Sequence, residues 1–296
     1  MQELDLTIRD LGNGIKFGGD FEIPFTRNYV ESFRHDIDEV GANQFELLRE
    51  TLGIDEYDVD WFEVVGELYR KRIVPDGQGN SIITVAMDTP KFFGYNNPFD
   101  ETKLPTTRAP NIDGVIVTDP NIPLYCAYSD CPWLFVQADE LFGAIHLSRR
   151  NLDRQFLLGR FLKRFYSTLG RSHISSDKLI LSPHICPESY FYENLDSVNH
   201  QPWIEAEAVN ERDKGWTLNL QKMIEYQLEE NGIGKHNLDT SLVFDTYDRS
   251  MKSHHNGGIV YSHKYRCEFR GDEEDAPRTG RGAMIMTRFD REEFMR

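Results

Sequence analysis

The chain has little cysteine: Cys126, Cys131, Cys186 and Cys267, four in 296 residues, with no CxxC pair among them. That spacing excludes a zinc-finger array and a disulfide scaffold, and a reducing cytoplasm is the expected compartment. Positive charge is also scarce. With 33 Lys and Arg against 49 Asp and Glu the net charge is −16, and the isoelectric point is near 5.0. A phosphate-backbone binder needs a basic face, so no nucleic acid is expected as a partner. No apolar run approaches a membrane span, so no membrane partner is expected either. The start, MQELDLTIRD, lacks a charged n-region and an apolar h-region, so no secretory signal is expected. Internal repeats and low-complexity tracts are missing. Histidine is missing between His35 and His146.

What is present is a soluble composition, 39% hydrophobic and 28% charged, which suits one large domain or two small ones. The most informative stretch is 113–150, DGVIVTDPNIPLYCAYSDCPWLFVQADELFGAIHLSRR. Its apolar runs 114–118, 123–128, 133–138 and 141–146 are separated by Asp-Pro, Ser-Asp and Asp-Glu turns. Short β-branched and aromatic runs between polar breakers are strands. They are almost continuously apolar, so they are expected centrally in one sheet covered on both faces. Cys131 falls in the turn before one run and His146 ends the next. Neighbouring strands lie about 4.8 Å apart, so a nucleophile or metal ligand and its His partner can meet at one sheet edge.

Residues 151–169 carry Leu158, Phe161, Leu162, Phe165 and Leu169 at three- and four-residue spacing, which predicts one amphipathic helix stopped by Gly170. Arg149 and Arg150 open it, a candidate anion site; the plainer reading is two solvated arginines. Helices are also expected over 38–52, 61–71 and 218–230, and strands over 81–87, 178–185 and 238–244. Residues 14–25 read as one or two strands broken by Gly18-Gly19. Residues 92–110, rich in Asn, Pro and Thr, read as a long loop.

In order along the chain stand Thr26-Arg27, Val40-Gly-Ala-Asn43, Ser129-Asp130-Cys131-Pro132, His146-Leu147-Ser148-Arg149-Arg150-Asn151, Leu181-Ser182-Pro183-His184-Ile185, Tyr190 or Tyr192 with Glu193, Asp245-Thr246-Tyr247, Tyr261-Ser262-His263-Lys264 and Thr279-Gly280-Arg281. That order resembles the laccase-domain proteins, also called multicopper polyphenol oxidoreductases, the YfiH-like or peptidoglycan-editing-factor family. The family's Ala-Asp-Cys-x-Pro stands here at Cys131, and its His-Ala-Gly-Trp-Arg-Gly at His146. The chain departs from the family at its first metal-ligand His, at the Gly-Trp of the His146 motif, and at the arginines of the closing motif. The resemblance implies an α/β fold: a single-domain layered sandwich with a mixed central sheet over 1–296, similar to the cysteine-hydrolase domain of cytotoxic necrotizing factor toxins. The stretch 55–75 then reads as a helical insertion.

The resemblance also implies chemistry. Family members are understood as zinc-containing purine nucleoside phosphorylases with adenosine deaminase activity, and their metal is held by two His and one Cys. Carried over, Cys131 and His146 are the catalytic pair and two metal ligands. Asp88, near the place of the missing His, is the expected third ligand, although an Asp after a strand is more often a turn residue. Arg149, Arg150 and Arg27 are expected at phosphate or substrate, and the partners are a nucleoside and phosphate. Zinc is the expected metal, with copper second despite the family name. Two alternatives use the same pair: a metal-independent Cys–His hydrolase or amidase in which His146 activates Cys131, and a non-catalytic binding protein on the same scaffold. Taken alone, Cys131 would be a buried small hydrophobe and His146 a hydrogen-bonded strand-end histidine.

Overall fold

The computed structural model describes residues 6–12, 14–20, 74–75, 82–85, 114–118, 124–139, 141–154, 156–195, 198–256, 260, 262–268 and 282–287. The strands are β1 (Leu6–Gly12), β2 (Ile15–Asp20), β3 (Val74–Pro75), β4 (Ile82–Val85), β5 (Gly114–Val117), β6 (Leu124–Tyr128), β7 (Trp133–Ala138), β8 (Leu141–His146), β9 (Lys178–Leu181), β10 (Phe191–Tyr192), β11 (Val209–Arg212), β12 (Gly215–Leu218), β13 (Leu238–Asp239) and β14 (Gly282–Thr287). The helices are α1 (Arg149–Asp153), α2 (Leu157–Leu169), α3 (His200–Glu205), α4 (Leu220–Glu230), α5 (Thr246–His255) and α6 (His263–Glu268). The expected helices at 38–52 and 61–71, most of the 55–75 insertion and the 92–110 loop lie outside the described residues.

The architecture is the expected layered α/β sandwich around a mixed sheet. That sheet has the order β13-β9-β7-β8-β5-β4-β3. Its β4–β5 and β9–β13 pairs are parallel, and its other ladders antiparallel. Both faces are buried, which explains the missing alternation in the sequence. On β7, Leu134 and Val136 face the helical layer with Phe161, Phe165, Met223 and Ile224. Trp133 and Phe135 point the other way, into a second core with Phe17, Leu124, Phe142 and Met284. Each fully buried side chain of this size contributes roughly 1.5–3 kcal/mol. Gly143 lets α2 settle closely, since a Cβ there would lie 2.5 Å from Val115 O and 3.1 Å from the Phe161 ring.

The second core is closed by a four-stranded sheet, β1-β2-β14-β6. This corrects the placing of all four apolar runs in one sheet. The run 123–128 forms β6, which pairs with β14 instead. An apolar run reports burial but not the partner. The consequence is that Ser129–Pro132 crosses from one sheet to the other, and Cys131 sits on that crossing. Gly18-Gly19 does not break β2 either, because β1 and β14 pair with it on both sides.

The expected helix over 151–169 is two helices. Leu152 O accepts from Gln227 Nε2 at 2.8 Å and Asp153 O from Asn199 Nδ2 at 2.9 Å. Carbonyls that would have carried the helix onward are held by side chains from distant parts of the chain. Phe156 then takes a left-handed backbone, φ 47°, before α2 begins. The expected strands over 178–185 and 238–244 are shorter, ending at Leu181 and Asp239. No helix among the described residues is long and apolar enough to cross a membrane.

Candidate functional site

The crossing at Cys131 is held from both sides. Asp130 O accepts from Ile185 N at 3.0 Å, and Pro132 O from Leu147 N at 2.8 Å. Trp133 N donates to Ser182 Oγ at 2.8 Å, while Trp133 O accepts from Ser182 N at 2.9 Å. The Asp130 carboxylate, 7% exposed, ties this turn to the C-terminal helices. Its Oδ1 accepts from Thr246 Oγ1 at 3.0 Å and its Oδ2 from Lys264 N at 2.6 Å. Burial pushes the Asp130 carboxyl above its ordinary range, and the Lys264 N–H, Ser262, Thr246 and the His263 charge pull it back.

His146 ends β8 opposite Trp133 in the antiparallel register, and their rings lie 5.2 Å apart. Its main-chain oxygen accepts from Asn151 Nδ2 at 2.9 Å. Ser148 caps α1 by accepting from Asn151 N at 3.3 Å. The chain leaving His146 is therefore fixed as firmly as the chain entering Cys131. Cys131, Cys186 and Cys267 are free thiols.

Cys131 and His146 open onto one cavity of about 780 Å³, whose other walls include Tyr190, Tyr192, Glu193 and Lys264. That volume falls within the range of small-molecule sites. Tyr190 and Tyr192 are hydrogen-bonded to each other, and burial raises both phenols, so both keep their protons at neutral pH. Arg149 Cζ lies 5.7 Å and Lys264 Nζ 5.8 Å from the centre of the Tyr192 ring. Lys264 Nζ also donates to Phe191 O at 3.1 Å and to Glu268 Oε1 at 2.5 Å.

The two arginines singled out from the sequence separate here. Arg149 is half-buried and packs on a cavity wall, whereas Arg150 is exposed. The helix they open has only five residues, so it offers no helix-terminus anion site like the one expected for a helix running to Leu169. Arg27 and Asp88 lie outside the described residues. Among the described residues no three His, Cys, Asp or Glu side chains converge closely enough to hold a metal ion.

His184, a tempting extra polar group in the sequence, is 1% exposed and is not a cavity residue. Its Nδ1 donates to Ser182 O at 2.9 Å. Burial lowers its pKa to about 4, so the ring is neutral in the fold but titrates near 6.5 when unfolded. Between those values the unfolded chain binds more protons, so stability should fall as pH drops through this window, by up to about 3 kcal/mol. His173, also lowered by burial, adds to the same slope. Urea midpoints measured at several pH values check this, and His184→Gln should flatten most of the slope.

Sequence reasoning missed Trp133, Asn194, Lys264, Cys267 and Glu268 as cavity residues. A six-residue helix such as α6 leaves no amphipathic stripe, although the four-residue spacings His263–Cys267 and Lys264–Glu268 were there to read.

Comparison with known proteins agrees with this architecture. Residues 28–287 match the family model described as multi-copper polyphenol oxidoreductase laccase. Among solved structures, YlmD from Geobacillus stearothermophilus is 17% identical over 95% of this chain and 94% of that one, with a TM-score of 0.63. The hypothetical protein YfiH of Bacillus licheniformis is 15% identical over 97% of both chains, with a TM-score of 0.60. At such identities these likenesses establish the fold. No curated protein matches the chain.

Proposed function

The chain belongs to the multi-copper polyphenol oxidoreductase laccase family, and from that premise we propose that it is a purine nucleoside phosphorylase acting on adenosine or inosine, with adenosine deamination as a second activity of the same pocket. The observation that carries this reading is the shared cavity. It brings a thiol and an imidazole together beside a wall of protonated phenols backed by Arg149 and Lys264.

In phosphorolysis a phosphate oxygen forms a bond to the anomeric carbon as the glycosidic C–N bond breaks, and the departing base takes up a proton. The chain's own residues then have distinct tasks. Arg149 and Lys264 supply the positive field that holds an anion in line, and the Tyr190–Tyr192 pair offers O–H donors to the substrate. The zinc implied by the family would be held by Cys131 and His146 with Asp88, and would polarise the substrate or a bound water. The chain lacks the family's first metal-ligand His, with no histidine between His35 and His146, and that departure favours a second reading, a metal-independent Cys–His hydrolase on the same pair.

Arg149→Ala tests the reading. Losing a charge-assisted contact to phosphate corresponds to roughly 1.5–3 kcal/mol, or about ten- to a hundredfold in affinity. The phosphate concentration needed for half-maximal base release should rise by that factor, and Arg150→Ala should change it far less. Equal effects in the two variants would contradict the assignment of Arg149.

A further inference from the structure

Beside the Cys131–His146 cavity lies a second, smaller one of about 300 Å³ that the nucleoside reading leaves unused. Glu193 and Asn194, both exposed, belong to the walls of both cavities, so the two meet there. The smaller one is mainly apolar, walled by Leu195, Val198, Trp203, Ile204, Val209 and Trp216. Ile204, on α3, is 57% exposed, so the cavity opens to solvent on that side.

The sheet β10-β12-β11 runs from one cavity to the other. Tyr192 pairs with Trp216 across the antiparallel ladder, and Val209 pairs with Leu218, two residues on from Trp216. Directly opposed residues share a face, and side chains alternate along a strand. Tyr192, Trp216 and Val209 therefore stand on one face. Tyr192 walls the larger cavity, and Trp216 and Val209 wall the smaller. Gly215 keeps the strands tight, since a Cβ there would collide with Tyr192 O. Trp203 is fixed as well. It is fully buried, its Nε1 donates to Asp153 Oδ2 at 3.2 Å, and its main-chain oxygen accepts from Ala208 N at 2.8 Å. The smaller cavity is thus preformed, as ligand sites generally are.

We propose that the smaller cavity is a specificity subsite for an uncharged aromatic ring carried on the purine of the substrate, reached along the Tyr192–Trp216 face. It rests on the nucleoside reading of the larger cavity. The space suffices, because an apolar cavity of about 150 Å³ already holds a benzene ring. Trp216 is half-buried and offers that ring an aromatic partner, which favours an aryl group over an alkyl group of equal area. Charge works against the other substituents. Among the described residues Glu193 is the one carboxylate of the wall and no Lys or Arg lines it. His200, its other titratable residue, spends Nε2 on Leu195 O. An anionic group such as a nucleotide phosphate would meet a like charge there and find no ion-pair partner.

Calorimetric binding to the full chain without phosphate tests the subsite apart from turnover. N6-benzyladenosine is expected to bind about ten- to a hundredfold more tightly than adenosine, from the apolar area its ring buries. Trp216→Ala should remove most of that preference and leave the affinity for adenosine as it was. Ile204→Ser, at an exposed position, should reduce the preference without disturbing the core. Circular dichroism checks that each variant is folded. Equal affinities for the two nucleosides in the parent chain, or a preference unchanged in the folded variants, overturn the subsite. The nucleoside reading then still stands, because adenosine binds. Binding of neither nucleoside overturns both.

Discussion

Cys131→Ala is expected to lower release of free base from adenosine or inosine by on the order of 10³-fold or more, while the fold stays intact. The side chain is only partly buried, at a crossing fixed by main-chain bonds from Asp130, Pro132 and Trp133. Removing one sulfur atom leaves all of those bonds in place, so the melting temperature should move by no more than about 2 °C. Zinc content measured on the same samples separates the two catalytic readings. A metal-dependent enzyme loses bound zinc along with activity, whereas a Cys–His hydrolase loses a hydrolytic activity with its metal content unchanged. A fully active Cys131→Ala protein would remove the thiol from both schemes.

Asp130→Ala should act in the opposite sense, on the fold first. The carboxylate is the common acceptor for Thr246 Oγ1 and Lys264 N, joining the Cys131 turn to α5 and α6. Each buried donor left without a partner represents about 1–3 kcal/mol. The desolvation that raises the Asp130 carboxyl offsets part of this, because an expensive buried charge is removed as well. A net loss of about 3 kcal/mol is expected, read as a lower urea midpoint with an unchanged m-value. Asp130→Asn keeps one acceptor oxygen and should lose less. If Asp130→Ala unfolds within about 1 kcal/mol of the parent, the carboxylate does not clamp the site as described.

How far the sequence reached is clearest at particular residues. The cores of β7 and β8 were legible because both faces are buried, and burial on two sides writes an unbroken apolar run. The same signal misplaced β6, since nothing in an apolar run says which of two sheets receives it. The end of α1 could not be read from its own residues. Gln227 and Asn199 take its last carbonyls from 75 and 46 positions away. Cys131 and His146 were found through motif order, and the sheet register explains why they share a cavity. In the sequence Arg150 takes the place of the family's motif arginine and Arg149 that of its Trp, whereas in the fold Arg149 is the half-buried one that packs on Tyr192 and Arg150 is exposed.

His184 shows the converse limit. A histidine near a strand end is an attractive candidate on paper, but the carbonyl of Ser182 and complete burial make it a structural group. Lys264 and Glu193 were visible as motif residues, and their convergence with Tyr190 on one cavity depends on α6 docking against the Asp130 turn.

The central claim, phosphate-dependent cleavage of a purine nucleoside at the Cys131–His146 cavity, is tested most directly by incubating the full chain with adenosine and with inosine across a phosphate series and quantifying free base and sugar phosphate. The account predicts that both products form in equal amounts, that their rate rises with phosphate to saturation, and that Cys131→Ala abolishes both. Absence of free base from any purine nucleoside at every phosphate concentration, with the protein folded and zinc supplied, would contradict it.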